Sequence, residues 1–113
     1  MAKELTPQEF ARVEMRVGKI LEVEDFPEAH RPSYKLWIDF GEGIGIKRSS
    51  AAIRPFYTKE ELQGRQVIAV VNFPPKQIAH FLSEALVLAA VNSDGKTILL
   101  QPDGEAELGA RIR

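Results

Sequence analysis

Cysteine is absent from the 113 residues of the chain, which excludes disulfide cross-links and thiol chemistry and is in keeping with a reducing compartment. Histidine occurs only at His30 and His80, without His-x-x-x-His spacing and without a paired-carboxylate pattern beside it, so a metal centre would need residues from distant parts of the chain. No nucleophile elbow and no phosphate-cradling glycine loop is present, because the spacing of Gly41, Gly43 and Gly45 suits a hairpin. An enzyme is not expected. No apolar run approaches the length of a bilayer span, and the amino-terminal MAKELTPQEF carries Glu4 and Glu9 where a signal peptide would have an apolar core. The expected setting is the cytoplasm, with no membrane insertion.

The chain also lacks a strong overall charge: its formal net charge of -1 argues against an anionic partner until the distribution is considered. From His30 to Arg65 there are seven basic residues (Arg31, Lys35, Lys47, Arg48, Arg54, Lys59, Arg65) against four acidic ones, whereas the flanking stretches lean acidic. This central excess could attract a phosphate backbone or an acidic segment, or be ordinary solvated charge. With 44% hydrophobic and 27% charged residues, the composition is that of a globular protein, and its length fits one domain over residues 1–113.

Thr6-Pro7-Gln8-Glu9 has the form of a capping box with proline at the first helical position, predicting a short helix to about Val13 that must bury Phe10 against its own core or a partner subunit. Val13, Met15 and Val17 alternate with polar or small residues, and beyond an expected bulge at Gly18 the pattern continues to Phe26 as one long, bent strand. Tyr34, Leu36, Ile38 and Phe40 share one face of a second strand, leaving Lys35, Trp37 and Asp39 on the other. Trp37 therefore faces away from the expected core, either covered by another element or subunit or available to stack on a ligand. Ile44 to Ser50 returns as a third strand, in which strict alternation would set Arg48 on the side of Ile44 and Ile46, so the strand end is expected to twist or bulge there or the guanidinium to reach around to solvent. A second capping box, Thr58-Lys59-Glu60-Glu61, opens another short helix before Gly64.

The stretch Val70 to Val91 joins an apolar strand to the corner Phe73-Pro74-Pro75 and then to the apolar run Ala85–Val91, which is expected to be buried on both faces. Two prolines fix their own φ and lack N–H donors, so neither strand can continue through the corner, and a corner held between core strands is a good mount for binding. A strand from about Thr97 to Leu100 follows, and the tail is polar apart from Leu108 and Ile112. Three strands, a short helix and two more strands have the order of an oligonucleotide-binding (OB) barrel, whose second and third strands form the usual ligand face; here that face would hold Lys35, Trp37, Lys47 and Ser49.

The segments DFPEAHRPSYKLWIDFG, GIGIKRSSAAI and QVIAVVNFPPKQIAHFLSEALVLAA resemble the tRNA-binding domain family. That family includes CsaA-like export-related chaperones, free-standing structure-specific tRNA-binding proteins, and modules appended to methionyl- and phenylalanyl-tRNA synthetases. The resemblance runs from Phe10 to the C-terminus, and the NFPP segment is its most specific part. It implies an all-β, five-stranded OB-fold barrel with short helices, whose N- and C-terminal extensions build a homodimer interface. It further implies no catalysis, no cofactor, and binding of unfolded polypeptides or preproteins, of the export ATPase SecA, or of tRNA. Carried over by position, Lys47, Arg48 and Ser49 would form the end of the binding strand, and Asn72, Lys76 and Ser83 the polar contacts near the corner; in a peptide-binding dimer Phe73, Ile78 and Phe81 would offer apolar contact, unless the aromatics are plain core. Where tRNA-binding relatives often have Ser-x-Gly-Met, this chain has Ser83-Glu84-Ala85-Leu86, replacing a glycine and a flexible thioether and adding a negative charge; this favours the chaperone-like branch. A scaffold that only dimerises is the third reading.

Overall fold

The structure, a computed structural model, describes residues 3–113. In chain order it contains α1 (Pro7–Ala11), β1 (Met15–Phe26), β2 (Ser33–Asp39), β3 (Ile46–Ala51), α2 (Lys59–Leu62), β4 (Gln66–Val70), β5 (Lys76–Ile78), β6 (Phe81–Ser83), β7 (Leu86–Val87), β8 (Ala89–Val91) and β9 (Thr97–Leu99). Both capping boxes form: Glu9 N–H donates to Thr6 Oγ1 at 3.1 Å while Thr6 N–H donates to Glu9 Oε1 at 3.0 Å, and Thr58 and Glu61 repeat the exchange. The backbone N–H donors of Thr6 and Thr58 hold the Glu9 and Glu61 carboxyls below the usual carboxylate range.

The main sheet is antiparallel, in the order β3-β2-β1-β4-β7, and it curls because β1 serves two neighbours in succession. Met15–Lys19 pairs with β4, and Lys19–Phe26 pairs with β2. The curled five-stranded sheet and two short helices match the expected OB-fold architecture. The bulge, however, falls between Ile20 and Glu22 rather than at Gly18. Gly18 has a different role: a Cβ there would meet Ile38 Cγ2 at 2.5 Å and the Phe40 ring at 2.6 Å, so the missing side chain lets the end of β2 pack into the bend. Inside the curl, Ile20, Leu36, Ile38, Phe40, Leu62 and Val67 form the centre of the core. Leu62 is the one residue of α2 that is buried, and the helix is held at the bend of β1 by Gly64 N–H donating to Ile20 O at 2.8 Å.

Three expectations are corrected. The run Ala85–Val91 is not buried on both faces: Leu86 is 50% and Val91 69% exposed. It divides at Leu88, whose N–H donates to Ile68 O at 2.9 Å while its carbonyl accepts from Leu100 N–H at 3.1 Å. The chain there leaves β4 and begins the β8–β9 hairpin, so each half covers only one face. Between the proline corner and Ser83, where polar positions alone were legible, β5 and β6 form a hairpin with Ala79 at φ +51°, the one non-glycine residue at positive φ among the described residues. On β3, Arg48 keeps strict alternation: it registers with Trp37 on the outer face, and Ile46, 58% exposed, lies outside with it.

The carboxyl-terminal tail covers the edge of β1 that β2 does not reach. Val17 N–H donates to Ala110 O at 3.0 Å, Gly109 N–H to Val17 O at 2.8 Å and Ile112 N–H to Met15 O at 2.9 Å. Arg111 Nη2 also donates to Ala11 O, tying the tail to α1. The two extensions therefore lie side by side, and Ile112 is tethered.

Candidate functional site

Register along β2 and β3 decides which side chains can meet a ligand. Leu36 pairs with Ser49 and Trp37 with Arg48, so Ser49 points into the barrel while Lys35, Trp37 and Arg48 share the outer face. Ser49 is fully buried and its hydroxyl donates to Ala85 O at 2.7 Å. The expected ligand face of Lys35, Trp37, Lys47 and Ser49 is thus not one face, because side chains alternate with a period of two.

β3 and β7 are the edges of the curled sheet, and the gap between them is bridged without a strand ladder. Arg48 O accepts from Glu84 N–H at 2.8 Å and from Ala85 N–H at 3.3 Å. In return Glu84 Oε1 accepts from Arg48 N–H at 3.0 Å and from Arg48 Nε at 3.3 Å, and Ser50 N–H donates to Ser83 Oγ at 3.0 Å. Burial pushes the Glu84 carboxyl up, but the Arg48 backbone and guanidinium donors, with the Arg48 and Lys47 charges, outweigh it and hold the group below the usual carboxylate range. Glu84, read from sequence as a charge hostile to phosphate, is neutralised in place and closes the barrel. Ser49, Ser83 and the backbone of Arg48 serve the same seam.

Beyond the seam, the β5–β6 hairpin lies across the outer face. Phe81 is buried, though outside the barrel core: its ring makes edge contacts with Phe26 at 5.4 Å and with Trp37 at 5.9 Å. Lys35 Nζ lies 5.6 Å and Arg48 Cζ 5.7 Å from the same ring. Trp37 is therefore partly covered by the hairpin, and the cations beside it are engaged with aromatic rings.

Asn72 follows the last residues of β4. Its Oδ1 accepts from Glu14 N–H at 3.0 Å and its Nδ2 donates to Arg12 O at 2.7 Å, so its amide is spent on the chain entering β1. Phe73, next in sequence, is 55% exposed. It borders an open groove of about 390 Å³ lined by Pro74, Lys76, Ile78, Leu86, Ser50 and Ser83. On the hairpin Lys76 and Ile78 project to one side, registered with Ser83 and Phe81, which brings the cation and the apolar contact into the same groove. Lys47 and Lys76 form no ion pair among the described residues. Lys47 acts electrostatically on Glu84 at the seam but registers with Ile38, on the other face of β3 from Arg48, whereas Lys76 registers with Ser83 and lines the groove, which Lys47 does not.

Of the eight residues singled out from sequence, Phe73, Lys76 and Ser83 line the groove, Arg48 belongs to the seam with Glu84, Lys47 lies on the other face of β3, Trp37 sits under the hairpin, and Ser49 and Asn72 hold the scaffold. Ser50 and Leu86 were missed as groove residues. Leu86 belonged to a run too apolar to reveal its exposed member, and Ser50 resembled a strand-end hydroxyl.

A family model described as a putative tRNA binding domain matches residues 15–111. The chain belongs to the tRNA-binding domain family. Within this family it is 42% identical over 106 residues to the methionine–tRNA ligase of Thermococcus kodakarensis, an alignment covering 93% of this chain and 14% of that protein. The chain thus spans about one seventh of the length of the ligases it matches. Among solved structures, the CsaA chaperone protein from Picrophilus torridus is similar at 54% identity and a TM-score of 0.91, covering 97% of this chain and all of that one. The chaperone CsaA of Bacillus anthracis is similar at 43% identity and a TM-score of 0.91, covering 98% of this chain and 100% of its own. In this tRNA-binding domain Phe73 and Lys76, at the proline corner, make no side-chain hydrogen bond or ion pair among the described residues. An apolar trough with cations at its margin can hold an extended chain by its side chains, or admit a base between apolar walls with phosphate at the rim.

Proposed function

We propose that the protein is a cytoplasmic, non-catalytic, CsaA-like chaperone that holds extended segments of unfolded polypeptides, such as preproteins bound for the export ATPase SecA, in the groove at the proline corner. The observation that carries this reading is the groove's composition. Phe73, Pro74, Ile78 and Leu86 supply apolar walls, and Lys76 and Ser50 supply the polar margin that would anchor a backbone carbonyl or an acidic side chain.

The chain acts in this reading as one domain over residues 1–113 and as a homodimer. None of the residues of α1 is buried, and Leu5, Phe10 and Val13 are exposed. A helix of five residues is marginal in water without tertiary packing. A cavity of about 300 Å³ between α1 and the tail, lined by Phe10, Val13, Arg111 and Ile112, offers the seat for a second copy. Pairing would set two weak grooves on one rigid body, and two linked sites hold a flexible chain more tightly than either alone.

Family membership and the unpaired Lys47 and Lys76 support a second reading, tRNA binding. Fluorescence anisotropy with a labelled unfolded peptide of alternating leucine and glutamate, and with labelled tRNA, separates the two. Four phosphate contacts, two cations from each protomer, would lose about a hundredfold in affinity between ~50 and ~200 mM salt, whereas the peptide, meeting one cation at each groove, should lose less than about tenfold. If tRNA binds with the steep slope and the peptide does not bind at any salt concentration, the chaperone reading is overturned.

A further inference from the structure

We infer that Asn72 is a positioning residue that couples the groove to the dimer contact, so that binding of polypeptide and pairing of two copies strengthen each other. The inference rests on the dimeric, peptide-binding reading above. Its physical basis is where the β1–β4 ladder stops. Val71 N–H makes the last backbone bond, to Glu14 O at 2.9 Å, and beyond it the chain turns into Phe73-Pro74-Pro75, where the prolines have no N–H to donate. The Asn72 side chain carries on in place of the backbone: an amide presents one carbonyl oxygen and one N–H edge, as a peptide group does. It satisfies Glu14 N–H at 3.0 Å and Arg12 O at 2.7 Å.

Arg12 is the C-cap of α1, so one planar side chain fixes the end of that helix to the residue preceding the corner. Phe73 is set by this clamp. It borders the groove on one side and, on the other, a second cavity of about 350 Å³ lined by Glu9, Val13 and Val70, against the helix. Anything that orders α1 therefore orders Phe73. In the single chain no residue of α1 is fully buried, so the docking of a second copy is the event that would hold it more firmly. Linkage requires the converse as well: a chain bound against Phe73 must favour pairing by the same factor.

The test uses the full chain and the labelled leucine–glutamate peptide. Sedimentation velocity gives the dimer dissociation constant with and without saturating peptide, and anisotropy gives peptide affinity. In the wild type, peptide should tighten the dimer severalfold. Asn72→Ala removes both bonds and should weaken pairing in the absence of peptide, and peptide binding, each by about tenfold, since two partly exposed hydrogen bonds contribute about 1.4 kcal/mol together. Peptide should then no longer tighten the dimer. Lys76→Ala should weaken peptide binding and leave peptide-free pairing unchanged. Asn72→Asp keeps the acceptor for Glu14 and loses the donor to Arg12; it should show the same pattern at about threefold, and it carries the comparison if the alanine variant does not fold. Loss of peptide affinity with wild-type pairing would make Asn72 a direct ligand contact and overturn the inference, as would wild-type behaviour in both assays. A monomeric wild type would overturn the dimer reading and this coupling together, and is seen before any variant is made. Wild-type peptide affinity in Lys76→Ala would overturn the groove reading alone.

Discussion

Replacing Ser49 with alanine separates a ligand contact from a structural one. The hydroxyl is fully buried and donates at 2.7 Å to Ala85 O, one of the six bonds that carry β3 across to the residues preceding β7. Removal leaves a small void and an acceptor facing the barrel interior with no water to replace its partner. A buried hydrogen bond contributes about 1 kcal/mol, and the orphaned carbonyl raises the total to about 1–3 kcal/mol. A chain of this size has an unfolding entropy near 0.24 kcal/mol/K by the usual per-residue value of ~2.1 cal/mol/K, so Tm should fall by about 4–12 °C. The assay is thermal unfolding followed by circular dichroism at one fixed protein concentration, because the proposed pairing would make Tm concentration-dependent. Peptide and tRNA affinities, measured well below the new Tm, should stay within about twofold of wild type. A Tm within about 1 °C of the parent, or a large drop in affinity by a protein of unchanged stability, would refute the assignment of Ser49 to the seam.

Glu84→Gln tests the same seam through pH. The folded carboxyl lies below its ordinary value of 4.5, so its stabilising contribution is present above that value and is lost as pH falls through the lower folded pKa. Acid titration of stability should therefore be shallower in the glutamine variant than in wild type below about pH 5, and parallel curves would show that the Arg48–Glu84 contact contributes nothing. Phe10→Asp places a charge in the cavity between α1 and the tail, and should shift the sedimentation profile to monomer while leaving the far-ultraviolet spectrum intact; a persistent dimer would move the interface elsewhere. Gly18→Ala introduces a methyl at 2.5–2.8 Å from Ile38 and Phe40, both fully enclosed, and should destabilise by about 1–3 kcal/mol in urea unfolding; a neutral result would mean that the bend relaxes freely.

The local part of this architecture is legible in the residues themselves. Thr6–Glu9 and Thr58–Glu61 each close a ring within four residues, and the alternation of Tyr34, Leu36, Ile38 and Phe40 depends only on the pleat, so neither needs knowledge of distant segments. The place of the candidate groove follows equally from two adjacent prolines, which stop a strand whatever surrounds it. What a side chain does once there is a non-local matter. Ser49 and Trp37 lie on opposite faces because of the pairing register of β2 and β3, the charge of Glu84 is compensated because Arg48 arrives from 36 residues away, and Asn72 faces α1 because β1 runs beside β4. The run Ala85–Val91 misled for the same reason: hydrophobicity records that a residue avoids water in some partner's company, and only the curled sheet decides which residues of the run find that company within the chain and which, like Leu86, stay open for another.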